Sequence, residues 1–182
     1  HVIIETNVAN LFIAPATISL AGAEIELVSA ISREIRLRNK LVSIKENYDY
    51  IIIDCPPSLG LLTLNALSAS DGVIIPVQCE YYALEGLSQL LSTIRLVQKH
   101  LNKNLVIDGV LLTMLDARTN LGLQVIEEVK KYFREKVYQS IIPRNVRLSE
   151  APSHGKPITV YDERSRGAET YLELAREVIK NG

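Results

Sequence analysis

The feature that most constrains the fold is a short apolar run that ends in a single carboxylate. Residues 51–53 are three isoleucines, Asp54 follows them directly, and the pair Pro56-Pro57 comes soon after. A run that is apolar on both faces is typical of a central parallel strand covered by helices. Because proline cannot donate to a strand ladder, Pro56-Pro57 should end it. The run therefore predicts a buried strand over residues 50–54.

The position of Asp54 indicates a ligand site. Open α/β sheets bind ligands at the carboxyl ends of their strands. In nucleotide hydrolases a carboxylate at this point, the Walker B aspartate, holds the magnesium ion that bridges the β- and γ-phosphates. Asp54 could instead be a plain strand-end carboxylate that caps Pro56-Pro57. A Walker B strand also needs a Gly-rich phosphate loop. This sequence contains none, since its one Gly-Lys pair, Gly155-Lys156, runs into Pro157.

Strand-like and helix-like segments alternate along the chain, with charges between the apolar positions of the helical ones. Strands separated by helices of ten or more residues favour a parallel sheet. We therefore predict an α/β fold, a mostly parallel sheet with helices on both faces, in a single domain over residues 1–182. The predicted strands are 11–15, 50–54, 72–77, 105–114 and 137–142, and the predicted helices are 21–45, 59–69, 84–100, 122–133 and 167–180.

Bulk composition excludes several classes of protein. A 182-residue chain that is 47% hydrophobic and 23% charged is typical of a soluble domain with a real core. Its net charge of -1 means that any binding of a polyanion must come from a local basic patch. Cys55 and Cys79 lack metal-ligand spacing, which fits a reducing cytoplasm. No apolar run approaches the roughly 20 residues of a membrane span, so no membrane insertion is predicted.

Four polar segments lie at or beyond strand ends or helix starts. They are residues 76–86, residues 113–120, residues 142–151, and a fourth made of 155–158 with 161–162 and 165–168. On a parallel sheet such positions gather at one rim, where ligands bind. Two arginines within them, Arg118 and Arg147, stand out as candidates for contact with an anion. A surface arginine more often does nothing beyond solvation and weak ion pairing, so the residues alone leave both interpretations open.

Together these segments resemble the ParA-type partitioning ATPases of the Soj branch, deviant-Walker P-loop proteins that segregate chromosomes and plasmids. The resemblance spans residues 2–182 and is close at 48–57, 78–90, 111–132 and 142–157. It implies that Asp54 is the Walker B aspartate, catalytic and bound to Mg through water. It implies that Pro143 and Asn145 surround the adenine of ATP. It also implies that Arg118 and Arg147 bind DNA without sequence preference.

The resemblance further implies a cycle of binding and release. ATP would close a homodimer, the dimer would bind non-specific DNA on the nucleoid in the cytoplasm, and a ParB-type centromere-binding partner would stimulate hydrolysis. Three alternatives remain open. One is a MinD-like membrane-associated positioning ATPase, which needs a basic amphipathic tail. Another is a reductase similar to the nitrogenase iron protein, which needs cluster-ligating cysteines. The last is a non-catalytic fragment of the family.

In this family the phosphate loop and the aspartate that positions water precede the region matched here. The chain starts at His1, without Met and inside an apparent element, which indicates a fragment of a longer protein. We therefore expect the intact protein to be an ATPase, and this chain alone to be inactive because its phosphate loop is absent.

Overall fold

The structure is a computed structural model that describes residues 2–80 and 82–181. The chain forms two compact units, residues 1–69 and 70–182, and each is described by itself. The assignment of residues 1–182 to a single domain stays a prediction.

A parallel pair of strands forms the centre of the second unit. Strand β3 (Gly72–Gln78) pairs with β4 (Val106–Thr113), from Gly72 opposite Val106 to Gln78 opposite Thr113. Parallel strands need a long crossover, and helix α4 (Ala83–His100) supplies it. The middle of β4 is inaccessible to solvent, as expected for a strand with both faces covered. The α/β class with a parallel sheet is thus confirmed.

The predicted strand over residues 137–142 is wrong in its extent. Only Val137 and Pro143 form parallel bridges, to Val110 and Leu115. The backbone amides of Gln139 and Ser140 instead donate to the Glu177 carboxylate, each at 2.8 Å. The Tyr138 and Ile142 amides still donate to the Val110 and Leu112 carbonyls, at 3.0 and 2.9 Å, so the Glu177 side chain interrupts the pairing with β4 between these two residues.

Further helices complete this unit and follow the predicted ones closely where the prediction covered them. A small cluster of buried side chains, Leu111, Tyr138, Ile142 and Leu174, packs the C-terminal helix onto the rest of the unit. Burial of such side chains stabilises by about 1.5–3 kcal/mol each. The helices are α5 (Asn120–Phe133), α6 (Val146–Glu150), α7 (Ile158–Tyr161) and α8 (Arg166–Asn181).

The first unit is built from short elements. Strands β1 (Ile4–Glu5) and β2 (Phe12–Ile13) pair antiparallel, and helices α1 (Ser19–Leu27), α2 (Arg36–Leu41) and α3 (Leu61–Ala69) follow. The long helix predicted over residues 21–45 is therefore wrong.

Two local features account for that break in the helix. Ser32 has φ of 55°, a left-handed conformation that an α-helix cannot contain. The buried Asn65 amide donates to the Arg33 carbonyl at 2.7 Å, and its oxygen accepts from the Leu37 amide at 3.1 Å. These bonds hold the turn before α2 and the first turn of α2 itself against α3.

The strand predicted over residues 50–54 does not form in the structure. Within the described residues, 48–57 take part in no strand ladder, and Ile52 is 91% exposed. A strand needs a neighbouring backbone to bond. Among the described residues of this unit, the sheet is the short pair of β1 and β2. These two strands bond to each other and not to residues 50–54.

Helix α8 packs closely on α6 through a glycine. A Cβ added at Gly167 would come within 2.6 Å of the branch carbon of Leu148, so α6 or α8 would have to shift. Gly86 in α4 is the opposite case, because a Cβ there would meet nothing within 4 Å.

These two glycines make a matched test of packing. We expect Gly167→Ala to lower the free energy of unfolding by about 1 kcal/mol, since overpacking exceeds the gain in helix propensity. Gly86→Ala should raise it by about 0.5–1 kcal/mol. Urea unfolding of the two variants checks both signs. Stabilisation by Gly167→Ala would contradict the close packing of α6 on α8.

Candidate functional site

Three loops of the second unit lie side by side where the parallel segments end. The Cys79 amide, after β3, donates to the Thr113 carbonyl at 2.9 Å. The Leu115 amide, after β4, donates to the Ile142 carbonyl at 3.1 Å, and the Arg144 amide returns a bond to the Leu115 carbonyl at 2.9 Å. Backbone hydrogen bonds thus bring the three loops to one rim, as predicted for the carboxyl ends of parallel strands.

A side-chain ion pair crosses the same rim. Arg144 Nη2 lies 2.6 Å from Glu80 Oε1, and both side chains are about half exposed. A shallow depression of about 390 Å³ lies beside it, lined by residues 76–78, 80, 82 and 83. The pair joins the loop after β3 to the segment that carries Pro143 and Asn145.

Pro143 and Asn145 occupy defined positions on this rim. Pro143 forms the parallel bridge to Leu115. Asn145 is the N-cap of α6, and its side-chain oxygen accepts from the Arg147 amide at 2.8 Å. An N-cap of this kind stabilises a helix by about 1 kcal/mol. The structure therefore gives Asn145 a structural role that orients its side chain at the start of α6.

Arg118 lies in the loop between β4 and α5. Its Nε lies 2.9 Å from Asp116 Oδ1 and its Nη2 lies 2.7 Å from Asp116 Oδ2, a bidentate pair. The guanidinium lowers the pKa of Asp116 far below its usual range, and the carboxylate raises the pKa of Arg118. Asp116 Oδ1 also accepts from the Arg118 amide at 3.1 Å. The Arg118 side chain nevertheless stays 87% exposed.

Arg147, on α6, is held by two carboxylates. Its Nη1 lies 2.9 Å from Glu150 Oε2 and its Nε lies 3.4 Å from Asp162 Oδ2. The Tyr161 hydroxyl donates to Glu150 Oε2 at 3.2 Å, and the Tyr161 ring stacks on His154. The pair with Glu150 raises the pKa of Arg147 and lowers that of Glu150.

These acidic partners were missed by the sequence interpretation. Asp116 stands two residues before Arg118, and Glu150 stands three residues after Arg147. The second spacing is a known signal for an ion pair on a helix, so Glu150 could have been found. Asp162 lies beyond α7, and local spacing gives no signal for its contact with Arg147.

Asp54 lies in the first unit, so its surroundings are given within that unit alone. It is exposed and borders a groove of about 450 Å³ formed by residues 53–56 with α1, α2 and α3. Desolvation and the Asp54 charge raise the pKa of the neighbouring Cys55 thiol, which is therefore neutral at pH 7. Of the five predicted site residues, the other four lie on the second unit at or next to its rim.

Two negative findings bound the chemistry of the described residues. Among residues 2–80 and 82–181, no three His, Cys, Asp or Glu side chains cluster closely enough to hold a metal ion by themselves. No helix in that same part of the chain has the length and apolar character to cross a bilayer. Any ion at Asp54 therefore needs ligands from elsewhere, such as phosphates or water.

Solved structures with known ligands share this fold. A cobyrinic acid a,c-diamide synthase from Mycobacterium smegmatis, solved with bound ADP and magnesium, matches 98% of this chain and 65% of its own, with 36% identity and a TM-score of 0.82. The septum site-determining protein MinD from Pyrococcus horikoshii, complexed with Mg-ADP, matches 97% of this chain and 67% of its own at TM-score 0.75. Its 24% identity shows a shared fold alone.

Sequence comparisons identify the family. Residues 1–107 match the family model described as AAA domain. The sporulation initiation inhibitor protein Soj of Bacillus subtilis is 77% identical over 100% of this chain and 72% of its own length. The chromosome partitioning protein ParA of Myxococcus xanthus is 60% identical over 96% of this chain but only 62% of its own. The chromosome-partitioning ATPase Soj of Treponema pallidum is 55% identical over 96% of this chain and 69% of its own. The chain thus belongs to the ParA/Soj family of chromosome partitioning ATPases.

Proposed function

We propose that the full-length protein is an ATP-dependent partitioning ATPase that binds DNA without sequence preference. The observation that carries this proposal is the 77% identity with Bacillus subtilis Soj along the whole chain. ATP closes a homodimer in the cytoplasm, the dimer binds the nucleoid, and a ParB-type partner stimulates hydrolysis and release.

Asp54 fits the role of magnesium carboxylate. It offers an exposed, hard oxygen ligand at the end of an apolar run, and Mg²⁺ prefers one or two carboxylates plus phosphates and water. When bound, the ion neutralises charge on the β- and γ-phosphates. Asp54 would hold that ion through water, and its carboxylate would supply the negative charge that the ion faces.

Pro143 and Asn145 are proposed to flank the adenine base. The bridge from Pro143 to Leu115 and the cap that Asn145 makes on α6 support this role, because both limit the motion of the segment. A binding segment held by the scaffold loses less entropy when a ligand arrives. The ion pair of Arg144 with Glu80 adds a further restraint beside them.

The chain alone is proposed not to hydrolyse ATP. Backbone amides and a lysine of a Gly-rich loop supply most of the binding to phosphates. The 182 residues contain no such loop, and Gly155-Lys156 is followed by Pro157 in place of Ser or Thr. One carboxylate cannot replace that loop, since it repels the phosphates it would have to hold.

Arg118 and Arg147 are proposed to contact DNA phosphates. Both guanidinium groups are exposed to solvent, by 87% and 54% of the side chain. Arginine suits phosphate because its planar fork donates two parallel hydrogen bonds. At a net charge of -1, affinity must come from such local contacts brought together in a dimer.

Asp54→Asn in the full-length protein tests the magnesium role. We expect ATP turnover to fall by about 100-fold or more, because the change removes the charge that faces the ion. The melting temperature should stay near that of the wild type, since Asp54 is exposed. Asp49→Asn, an exposed carboxylate five residues earlier, should keep its turnover. Retained turnover in Asp54→Asn would leave Asp54 a surface carboxylate without a role in catalysis.

Arg118→Ala and Arg147→Ala test the DNA surface. Each should weaken binding of the ATP-loaded protein equally on two unrelated duplexes. Each should also reduce the slope of log affinity against log salt by about 1, because one phosphate contact is lost. Filter binding across a salt series measures both effects, and ATPase activity without DNA should stay nearly unchanged.

The control for this pair is Arg95→Ala. Arg95 is exposed on α4, and it lies about 18 Å along the helix from the rim where α4 begins. The Arg95→Ala variant should bind DNA like the wild type. Loss of basal ATPase in Arg147→Ala alone would place that residue in the nucleotide pocket beside Asn145. If both variants bind DNA normally, the DNA surface lies elsewhere.

A further inference from the structure

The two arginines proposed to bind DNA already have anionic partners within the chain. The Arg118 fork takes both oxygens of Asp116, at 2.9 and 2.7 Å. A phosphate group would use the same two parallel donors. Asp116 therefore occupies the geometry that a DNA phosphate needs.

Arg147 is engaged in the same way but by two groups. Glu150 approaches Nη1 at 2.9 Å, and Asp162 approaches Nε at 3.4 Å. These three side chains together carry a net charge of -1, whereas Arg118 with Asp116 carries none. Counted with these direct partners, neither arginine presents a net positive charge to an approaching phosphate.

The strength of these pairs allows exchange. Each pair lies at the surface with its carboxylates partly exposed: the Arg118 side chain is 87% exposed, and those of Asp116, Glu150 and Asp162 are 25%, 39% and 33% exposed. Exposed ion pairs are weak and screened by salt. A phosphate can therefore displace the carboxylate, but it must first break the pair and then tolerate a negative neighbour.

We propose that Asp116 competes with DNA phosphate for Arg118, and that Glu150 with Asp162 does so for Arg147, which holds the non-specific DNA affinity down. This inference rests on the proposed function. It deepens that function by naming the groups that set how tightly the ATP-bound dimer holds the nucleoid. The lowered pKa of Asp116 means that this competitor stays charged throughout the neutral range.

A purely structural role for Asp116 is the competing explanation. Asp116 Oδ1 accepts from the Arg118 amide, and its carbonyl accepts from Thr119 Oγ1 at 3.0 Å. Both bonds shape the loop. Asp116→Asn keeps an oxygen at Oδ1 and the same backbone, so it removes the charge while the loop can keep its bonds.

The test measures DNA affinity of the full-length, ATP-loaded protein on one non-specific duplex across a salt series. We expect Asp116→Asn to bind about 2- to 5-fold tighter than the wild type, which is the range that exposed ion pairs support. The log–log salt slope should steepen by about 1, since the site gains one net positive charge. Glu150→Gln should act in the same direction through Arg147.

Glu135→Gln is the matched control. It removes one exposed carboxylate from the same unit, beyond the far end of α5 and about 20 Å from the start of that helix. That distance exceeds the Debye length of about 8 Å at physiological salt. The DNA affinity and the log–log salt slope of Glu135→Gln should equal those of the wild type.

A double-mutant cycle separates competition from simple repulsion. If Asp116 acts through Arg118, Asp116→Asn should tighten binding more when Arg118 is present than in the Arg118→Ala background. If Asp116→Asn tightens DNA binding equally in both backgrounds, Asp116 acts by repelling the DNA directly, and the proposal that it competes for Arg118 is wrong. If Arg118→Ala weakens binding but neither Asp116→Asn nor Glu150→Gln strengthens it, this inference alone is wrong. If Arg118→Ala and Arg147→Ala both bind like the wild type, the proposed DNA surface fails and the inference fails with it.

Discussion

The parallel pairing of β3 with β4 is the interaction on which the second unit depends. Two extended segments bond along their length, from Gly72 opposite Val106 to Gln78 opposite Thr113. Three backbone bonds then continue past the strand ends and tie the following loops to one another. As a result, residues as far apart in sequence as Glu80 and Arg144 meet on one rim. The segment proposed to flank adenine and the two arginines proposed to contact DNA are all carried on loops or helices that start from this rim.

Much of this unit could be predicted because its signals are local. Helices α4, α5 and α8 and strands β3 and β4 lie within two residues of their predicted ends, since their apolar periodicity coincides with their packing. The segment before Pro143 was predicted as a strand from the same pattern. Its regular pairing is interrupted between Tyr138 and Ile142, because Glu177, 37 residues beyond Ser140, takes two of the backbone amides there. No local pattern reports such a contact.

The first unit shows the opposite case. The isoleucines of residues 51–53 have the composition of a central strand, but pairing also needs a neighbouring backbone, which the described residues do not provide. Prediction of the site residues shows the same contrast between what the sequence indicates and what depends on contacts in the folded chain. The resemblance gave Asp54, Pro143, Asn145, Arg118 and Arg147 their expected roles, and these remain proposals. The cap that Asn145 makes and the acidic partners of both arginines depend on side-chain geometry, which composition and spacing only partly encode.

We propose that this chain carries the magnesium carboxylate, the adenine segment and the DNA-contacting arginines of a partitioning ATPase, whereas phosphate binding needs a loop that these 182 residues do not contain. Calorimetric titration with Mg-ATP tests it most directly, with the 182-residue chain and the full-length protein compared after circular dichroism shows both to be folded. We expect saturable heat in the micromolar range from the full-length protein and none from the chain. Saturable micromolar binding by the chain alone would contradict the claim.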